Sequence, residues 1–281
     1  MRSVLFAALA AVSGAFSVCP SLALAEDQSP LTTLITGNDS RGWEGVGRLD
    51  IGRSGFCTGA LIAPDLVLTA AHCLFDKKSR RQVDASEVEF LAGWRNGRAS
   101  AYRTVSQAFV HPDYRFVPRD SENGPLVVND IALLELERPI RNTSVKPFAT
   151  ADRPRKGDAV GVVSYAHDRM DRPSLEEHCR VLARQSGSLV LSCTVDFGSS
   201  GAPIFTMEDG EPRIVSVVSA KAEMSGKKVS LGTALEKPLA ALMALREEAK
   251  AGKPPTLPEE PAQRVILDKP RGGSAGKFLR P

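Results

Sequence analysis

Apolar residues fall in short runs parted by Gly, Pro, Asn and Asp, with no sustained helical spacing through most of the chain. Runs at 46–51, 60–62, 66–69, 88–91, 102–110 and 131–136 read as six strands of a first unit. Runs at 159–165, 178–183, 189–192, 202–205, 213–218 and 231–234 read as six more. The short strands and turn-forming punctuation predict an all-β chain of two antiparallel units. Between them, residues 149–156 are charged and contain Pro154, which places the link there. Only at 239–245 do apolar residues recur at helical spacing, with a charged end at 246–250, so one helix is expected to close the second unit. The chain thus divides into an N-terminal segment and first unit at 26–148, and a second unit with its helix at 149–250. A Pro-, Gly- and charge-rich tail at 251–281 is expected to be disordered.

Residues 1–25 carry the marks of a secretory signal. Arg2 gives a positive start, a small and apolar run follows, and Ala23-Leu24-Ala25 supplies small residues before a cut. Ser13, Gly14, Ser17 and Pro20 interrupt that run, which argues against a retained anchor, so no stable membrane insertion is expected. The expectation is an exported chain, periplasmic or secreted. Composition changes little: 281 residues with 42% hydrophobic and 25% charged are ordinary for a globular protein. The net charge of +3 is accounted for by residues 251–281, which hold six Lys/Arg against three Asp/Glu. The body is therefore near neutral, which excludes a basic nucleic-acid patch.

Cys19 leaves with the signal, and four cysteines remain: Cys57, Cys73, Cys179 and Cys193. An even number in an exported chain points to disulfides, with three pairings open. Cys57 with Cys73 and Cys179 with Cys193 is favoured, because each pair flanks or joins neighbouring strands within one half. The spacings contain no Cys-x-x-Cys pair or histidine cluster for zinc, and neither metal nor cofactor is expected.

The candidate chemistry starts in the stretch from Cys57 to Cys73, CTGALIAPDLVLTAAHC. Two apolar runs are parted by the turn-favouring Pro64-Asp65, and His72 follows beside a cysteine that can reach back to its partner. Further on, Asp130 opens the apolar run of Asn129-Asp130-Ile131-Ala132-Leu133-Leu134. Ser200 lies in Phe197-Gly198-Ser199-Ser200-Gly201-Ala202-Pro203, just before a strand. A serine hydroxyl is a poor nucleophile until a base takes its proton, and that base needs a carboxylate to fix its tautomer. Taken singly, the histidine is equally a core residue, the aspartate a turn cap and the serine part of a common Gly-rich turn.

Together and in this order, the three segments resemble the trypsin/chymotrypsin-like serine proteases. The resemblance covers roughly residues 35–248. It implies two six-stranded antiparallel β-barrels and a C-terminal helix, with His72 as base, Asp130 as its partner and Ser200 as nucleophile. It also implies an oxyanion hole from the N–H groups of Gly198 and Ser200, and a specificity pocket near Thr194, Val195 and Ser216. No acid stands among these pocket residues, which disfavours Arg or Lys at the cleavage site. The implied activity is an exported serine endopeptidase acting on protein or peptide substrates through an acyl-enzyme. A catalytically silent secreted binding module on the same fold is the rival.

Two departures stand out. Ser199 replaces the aspartate that pairs with the freed amino terminus in trypsin-like zymogens, and Ile35-Thr36-Gly37 only faintly echoes that terminus. Ala202 replaces a glycine. The missing aspartate leans the resemblance toward bacterial exported relatives of the glutamyl endopeptidase kind. His111, His167 and His178 belong to no motif, and surface or turn roles are expected for them.

Overall fold

The computed structural model describes residues 29–52, 55–117, 127–152, 154–185 and 187–252. The signal sequence, the tail beyond 252 and the centre of the 116–129 loop lie outside the described residues.

The first unit comprises β2 (Val46–Ile51), β3 (Gly55–Ala63), β4 (Leu66–Thr69), β5 (Val88–Ala92), β6 (Ala101–Val110) and β7 (Ala132–Leu136), after a short β1 (Thr32–Thr33). These six antiparallel strands close in the order β2-β3-β4-β7-β6-β5. Closure leaves no strand edge unpaired. Inward side chains such as Leu49, Leu61, Leu68, Phe90 and Leu133 are fully buried.

The second unit comprises β8 (Ala159–Ser164), β9 (Ser174–Gln185), β10 (Ser188–Leu191), β11 (Pro203–Glu208), β12 (Glu211–Met224) and β13 (Lys227–Ala234). Pairing between β8 and β9 closes it as a second six-stranded barrel around Val162, Val181, Leu191 and Ile204. The expected all-β pair of barrels is what the chain forms.

Some expectations need correction. The N-terminal segment was grouped with the first unit, yet its Thr32 and Thr33 pair with Leu175 and Ser174 of β9 as a seventh strand on the second barrel. The run at 213–218 is part of a strand that continues to Met224 and turns through Ser225-Gly226, both at positive φ, into β13. The charged residues of that hairpin masked it, but Ala220, Ala222, Val229 and Leu231 alternate with them and pack in a small cluster with Val127 and Val190.

The two barrels share one seam. Phe205 of β11 lies 5.0 Å from Trp43 and 4.8 Å from Phe148, ring centroid to centroid, and the first barrel's core runs on into Val163, Tyr165 and Val217. The link is sewn to β12, with Ala151 N donating to Ile214 O and Ile214 N to Ala149 O. Helix α1 (Glu236–Lys250) starts earlier than expected, because Pro238 in its first turn needs no intrahelical N–H bond. Its inward face of Pro238, Leu242 and Arg246 docks against the first barrel. There the Arg246 guanidinium meets Asp65 at 3.1 Å and Glu135 at 2.7 Å.

Candidate active site

His72 sits in a single 3-10 turn at Ala71–Leu74, directly after β4. The Cys57–Cys73 disulfide ties that turn to β3, and Cys179–Cys193 forms in the second barrel, the two pairings favoured from sequence. Asp130 lies just before β7, the partner strand of β4, so strand pairing brings His72 and Asp130 together across 58 residues. The preceding Asn129 has a positive φ of 66°, a conformation Asn tolerates better than most residues.

The carboxylate grips the histidine at two points. Its Oδ1 accepts the His72 backbone N–H at 2.8 Å, and its Oδ2 lies 2.7 Å from His72 Nδ1. A carboxylate at this distance only accepts, so Nδ1 carries the proton and Nε2 is left as the basic nitrogen. Asp130 is buried, and the Ser219 hydroxyl also donates to Oδ2. The Thr233 hydroxyl lies 3.2 Å from the Asp130 carbonyl. His72 itself is partly exposed.

The loop bearing Ser200 is anchored to both barrels. Thr58 N donates to Ser200 O at 2.8 Å, the Thr58 hydroxyl donates to Gly198 O at 2.8 Å, and Gly201 N donates to Val218 O at 2.8 Å. Both glycines are required. Gly198 has φ 95°, and a Cβ there would lie 2.3 Å from the Phe56 ring. Gly201 has φ 78°, and a Cβ would lie 2.3 Å from the Thr58 carbonyl oxygen. Among the described residues, the N–H groups of Gly198 and Ser200 have no hydrogen-bond partner, so both remain available to a ligand. The Ser200 side chain makes no hydrogen bond to His72 in this conformation, and His72 Nε2 lies 4.0 Å from Cys73 Sγ. Catalytic hydrogen bonds are often long without substrate and tighten on binding.

The expected pocket residues are only partly brought together. Ser216 is fully buried and donates to Thr233 O inside the second barrel. The part of β12 beside the Ser200 loop is 218–221 instead. A β-bulge between Val218 and Ala220 gives Ser219 an extra place in the strand and aims it at Asp130. Period-two reading of the sequence cannot register such an insertion, which is why Ser219 was missed.

Thr194 and Val195 do precede the loop, but Thr194 N donates at 2.7 Å to a buried acid, Glu176 of β9. That acid comes from a strand distant in sequence and lies outside the three residues that the resemblance points to. Burial pushes the Glu176 carboxyl up, against the hydrogen bonds from Thr194 and the charge of Arg169. Beside it, Lys221 Nζ meets Asp196 at 2.8 Å and lies 4.4 Å from the Phe197 ring centroid. Burial raises the Asp196 carboxyl, but bonds from Lys221 and the Phe197 N–H, with the charges of Lys221 and Arg169, outweigh it and hold it below its usual range.

Of the remaining histidines, His167 and His178 sit near the surface as expected. His111 is buried, its Nδ1 accepting from Asp113 N at 3.2 Å, and burial pulls its pKa down.

Comparison with known proteins gives the chain's relatives. The chain is 34% identical over 116 residues to trypsin epsilon of Drosophila erecta, covering 40% of this chain and 39% of that protein. It is 34% identical over 124 residues to cathepsin G of Mus musculus, covering 41% of each. The chain thus spans about two fifths of the length of these relatives. A solved Glu endopeptidase, in complex with MPD, superposes with a TM-score of 0.56 over 81% of this chain and 97% of that one, at 20% identity, a likeness of fold. The family model described as Trypsin matches residues 37–235, and the chain belongs to that family.

Proposed function

We propose that the chain is an exported serine endopeptidase in which His72, Asp130 and Ser200 form the catalytic triad. The observation that carries this reading is the two-point grip of Asp130 on His72, a partly exposed histidine, which leaves Nε2 as the basic nitrogen. In the proposed reaction, Ser200 Oγ attacks the scissile carbonyl while His72 Nε2 takes its proton. Asp130 stabilises the imidazolium through Nδ1–H. The negative oxygen of the tetrahedral intermediate accepts the N–H groups of Gly198 and Ser200. His72 then returns the proton to the leaving amine, an acyl-enzyme remains on Ser200, and water activated by His72 releases it. Two disulfides fit an oxidising compartment outside the cytosol, where the substrates would be proteins or peptides. The cleft for the residue before the cut is assigned between Thr194-Val195 and the Ser219–Lys221 stretch.

A fluorophosphonate probe tests the assignment. The wild-type chain becomes labelled, whereas Ser200→Ala and His72→Ala do not, and peptide turnover in Ser200→Ala drops on the order of a millionfold. A wild-type chain inert to the probe would leave a protease fold used only for binding.

A further inference from the structure

In trypsin-like zymogens, as the resemblance implies, the residue before the nucleophile is an aspartate that pairs with a freed amino terminus. Here that residue is Ser199, which is fully buried. Its hydroxyl lies 3.2 Å from Ser164 Oγ and 3.3 Å from Tyr165 O, and it accepts the Asp196 N–H at 3.3 Å. Ser164 and Tyr165 are themselves fully buried. Tyr165 is fixed in turn, its N–H donating to Thr58 Oγ1 at 3.1 Å and its OH to Trp94 O at 2.8 Å.

The peptides that carry the Gly198 and Ser200 N–H groups are pinned as well. His167 N donates to Phe197 O at 2.7 Å, and Ala202 N to Ser199 O at 3.0 Å. In a trans peptide the carbonyl and the following N–H point in opposite directions. Holding the Phe197 and Ser199 carbonyls therefore sets the directions of the Gly198 and Ser200 N–H groups, the two donors of the proposed oxyanion hole.

The start of the described chain lies elsewhere. Ser29 N donates to His178 O, and β1 then runs along β9 until Thr33 stands opposite Ser174, the residue that also faces Ser164. Four residues of β9 separate His178 from Ser174, about 13 Å at strand rise. Ile35, in the stretch that faintly echoes an activated terminus, is 54% exposed and is preceded by a paired strand.

We propose that Ser199 is a positioning residue whose buried hydroxyl holds the Gly198–Ser200 loop in working shape, so that the peptidase is competent without a freed amino terminus. The inference rests on the peptidase reading above. A neutral hydroxyl suits this pocket, because a buried carboxylate would demand a counter-charge that the hydroxyl does not.

The test uses the chain from residue 26 with an amino-terminal tag, assayed with the tag intact by mass spectrometry and again after its removal. Equal rates of fluorophosphonate labelling and equal kcat/KM in both forms are expected. Labelling that appears only after trimming overturns this inference alone, and no labelling in either form overturns the peptidase reading and this one with it. A second arm measures Ser199→Ala. Its kcat is expected to fall about 10- to 100-fold with KM unchanged, less than the ~10²- to 10³-fold loss typical of deleting an oxyanion donor outright. Should Ser199→Ala fail to fold, Ser164→Ala reads the same contact from its other side and is expected to lower kcat in the same way. A kcat equal to wild type in a folded variant would overturn the role.

Discussion

The Ser219 hydroxyl donates to the same Asp130 oxygen that holds His72 Nδ1, so a residue of the second barrel steadies a carboxylate of the first. Hydrogen bonds to charged groups contribute about 1.5–3 kcal/mol. Ser219→Ala is expected to lower kcat about tenfold or more, in line with losing one such bond. Steady-state kinetics on a cleaved peptide checks this, and an unchanged kcat would remove Ser219 from the proposed machinery.

Gly201 packs where no side chain fits. Gly201→Ala combines a left-handed backbone cost of roughly 1–2 kcal/mol with a clash against the Thr58 carbonyl. Thermal denaturation is expected to show a lower Tm, and the folded fraction should label poorly with fluorophosphonate, because the shift moves the neighbouring Ser200. Gly210, whose Cβ would meet nothing, is the control: Gly210→Ala should label like the wild type.

The Cys57–Cys73 bridge closes a separation of 16 residues around the turn that carries His72. A loop of this size corresponds to about 3 kcal/mol in the chain-entropy account. The double variant Cys57→Ala/Cys73→Ala should lose stability on that scale by denaturant titration, and kcat should fall with it. Removing Cys179 and Cys193 instead should cost stability with a smaller effect on kcat. Equal effects of the two pairs on kcat would show that the first bridge has no special hold on the imidazole.

Glu176 offers a pH signature. Its folded pKa is raised above the model-peptide value, so between that value and the raised one the folded state binds more protons than the unfolded. Stability from this group is present in acid and lost as pH climbs through that window. Glu176→Gln keeps an acceptor for the Thr194 N–H and removes the titration. The gain in Tm of the variant over wild type should therefore be larger at pH 7 than at pH 4. A gain that shrinks with rising pH would contradict the burial argument.

Arg246 ties the terminal helix to Asp65 and Glu135 of the first barrel. Breaking a buried ion pair from one side costs roughly 3–5 kcal/mol, whereas an apolar replacement of similar volume is often far milder. Arg246→Ala should lower Tm markedly and Arg246→Met much less, with kcat unchanged in both, as measured by calorimetry and peptide cleavage.

The barrels were legible because their strands are local: each is a short apolar run bounded by turn residues, and Leu66–Thr69 or Val46–Ile51 appear where the pattern puts them. His72 and Asp130 were legible from their flanking motifs, whereas their contact follows from the β4–β7 pairing seen in the structure. What escaped has a common cause. Ser219 is displaced by a bulge, Glu176 approaches from another strand, and Thr58 grips the Ser200 loop across 140 residues. None of these leaves a periodic trace, since each depends on a single long-range register. Ser216 came to the pocket through the resemblance alone, and its place in the strand turns it inward, where it is buried against Thr233.

Thr58 reaches across the seam to brace the Gly198 carbonyl, while Ser219 and Thr233 reach the other way to Asp130. The two cylinders are therefore interlocked through their polar groups as well as through aromatic packing. Severing the chain within 149–156 should yield fragments that are separately inert and regain hydrolysis on reassociation, making turnover a direct gauge of how faithfully the halves dock.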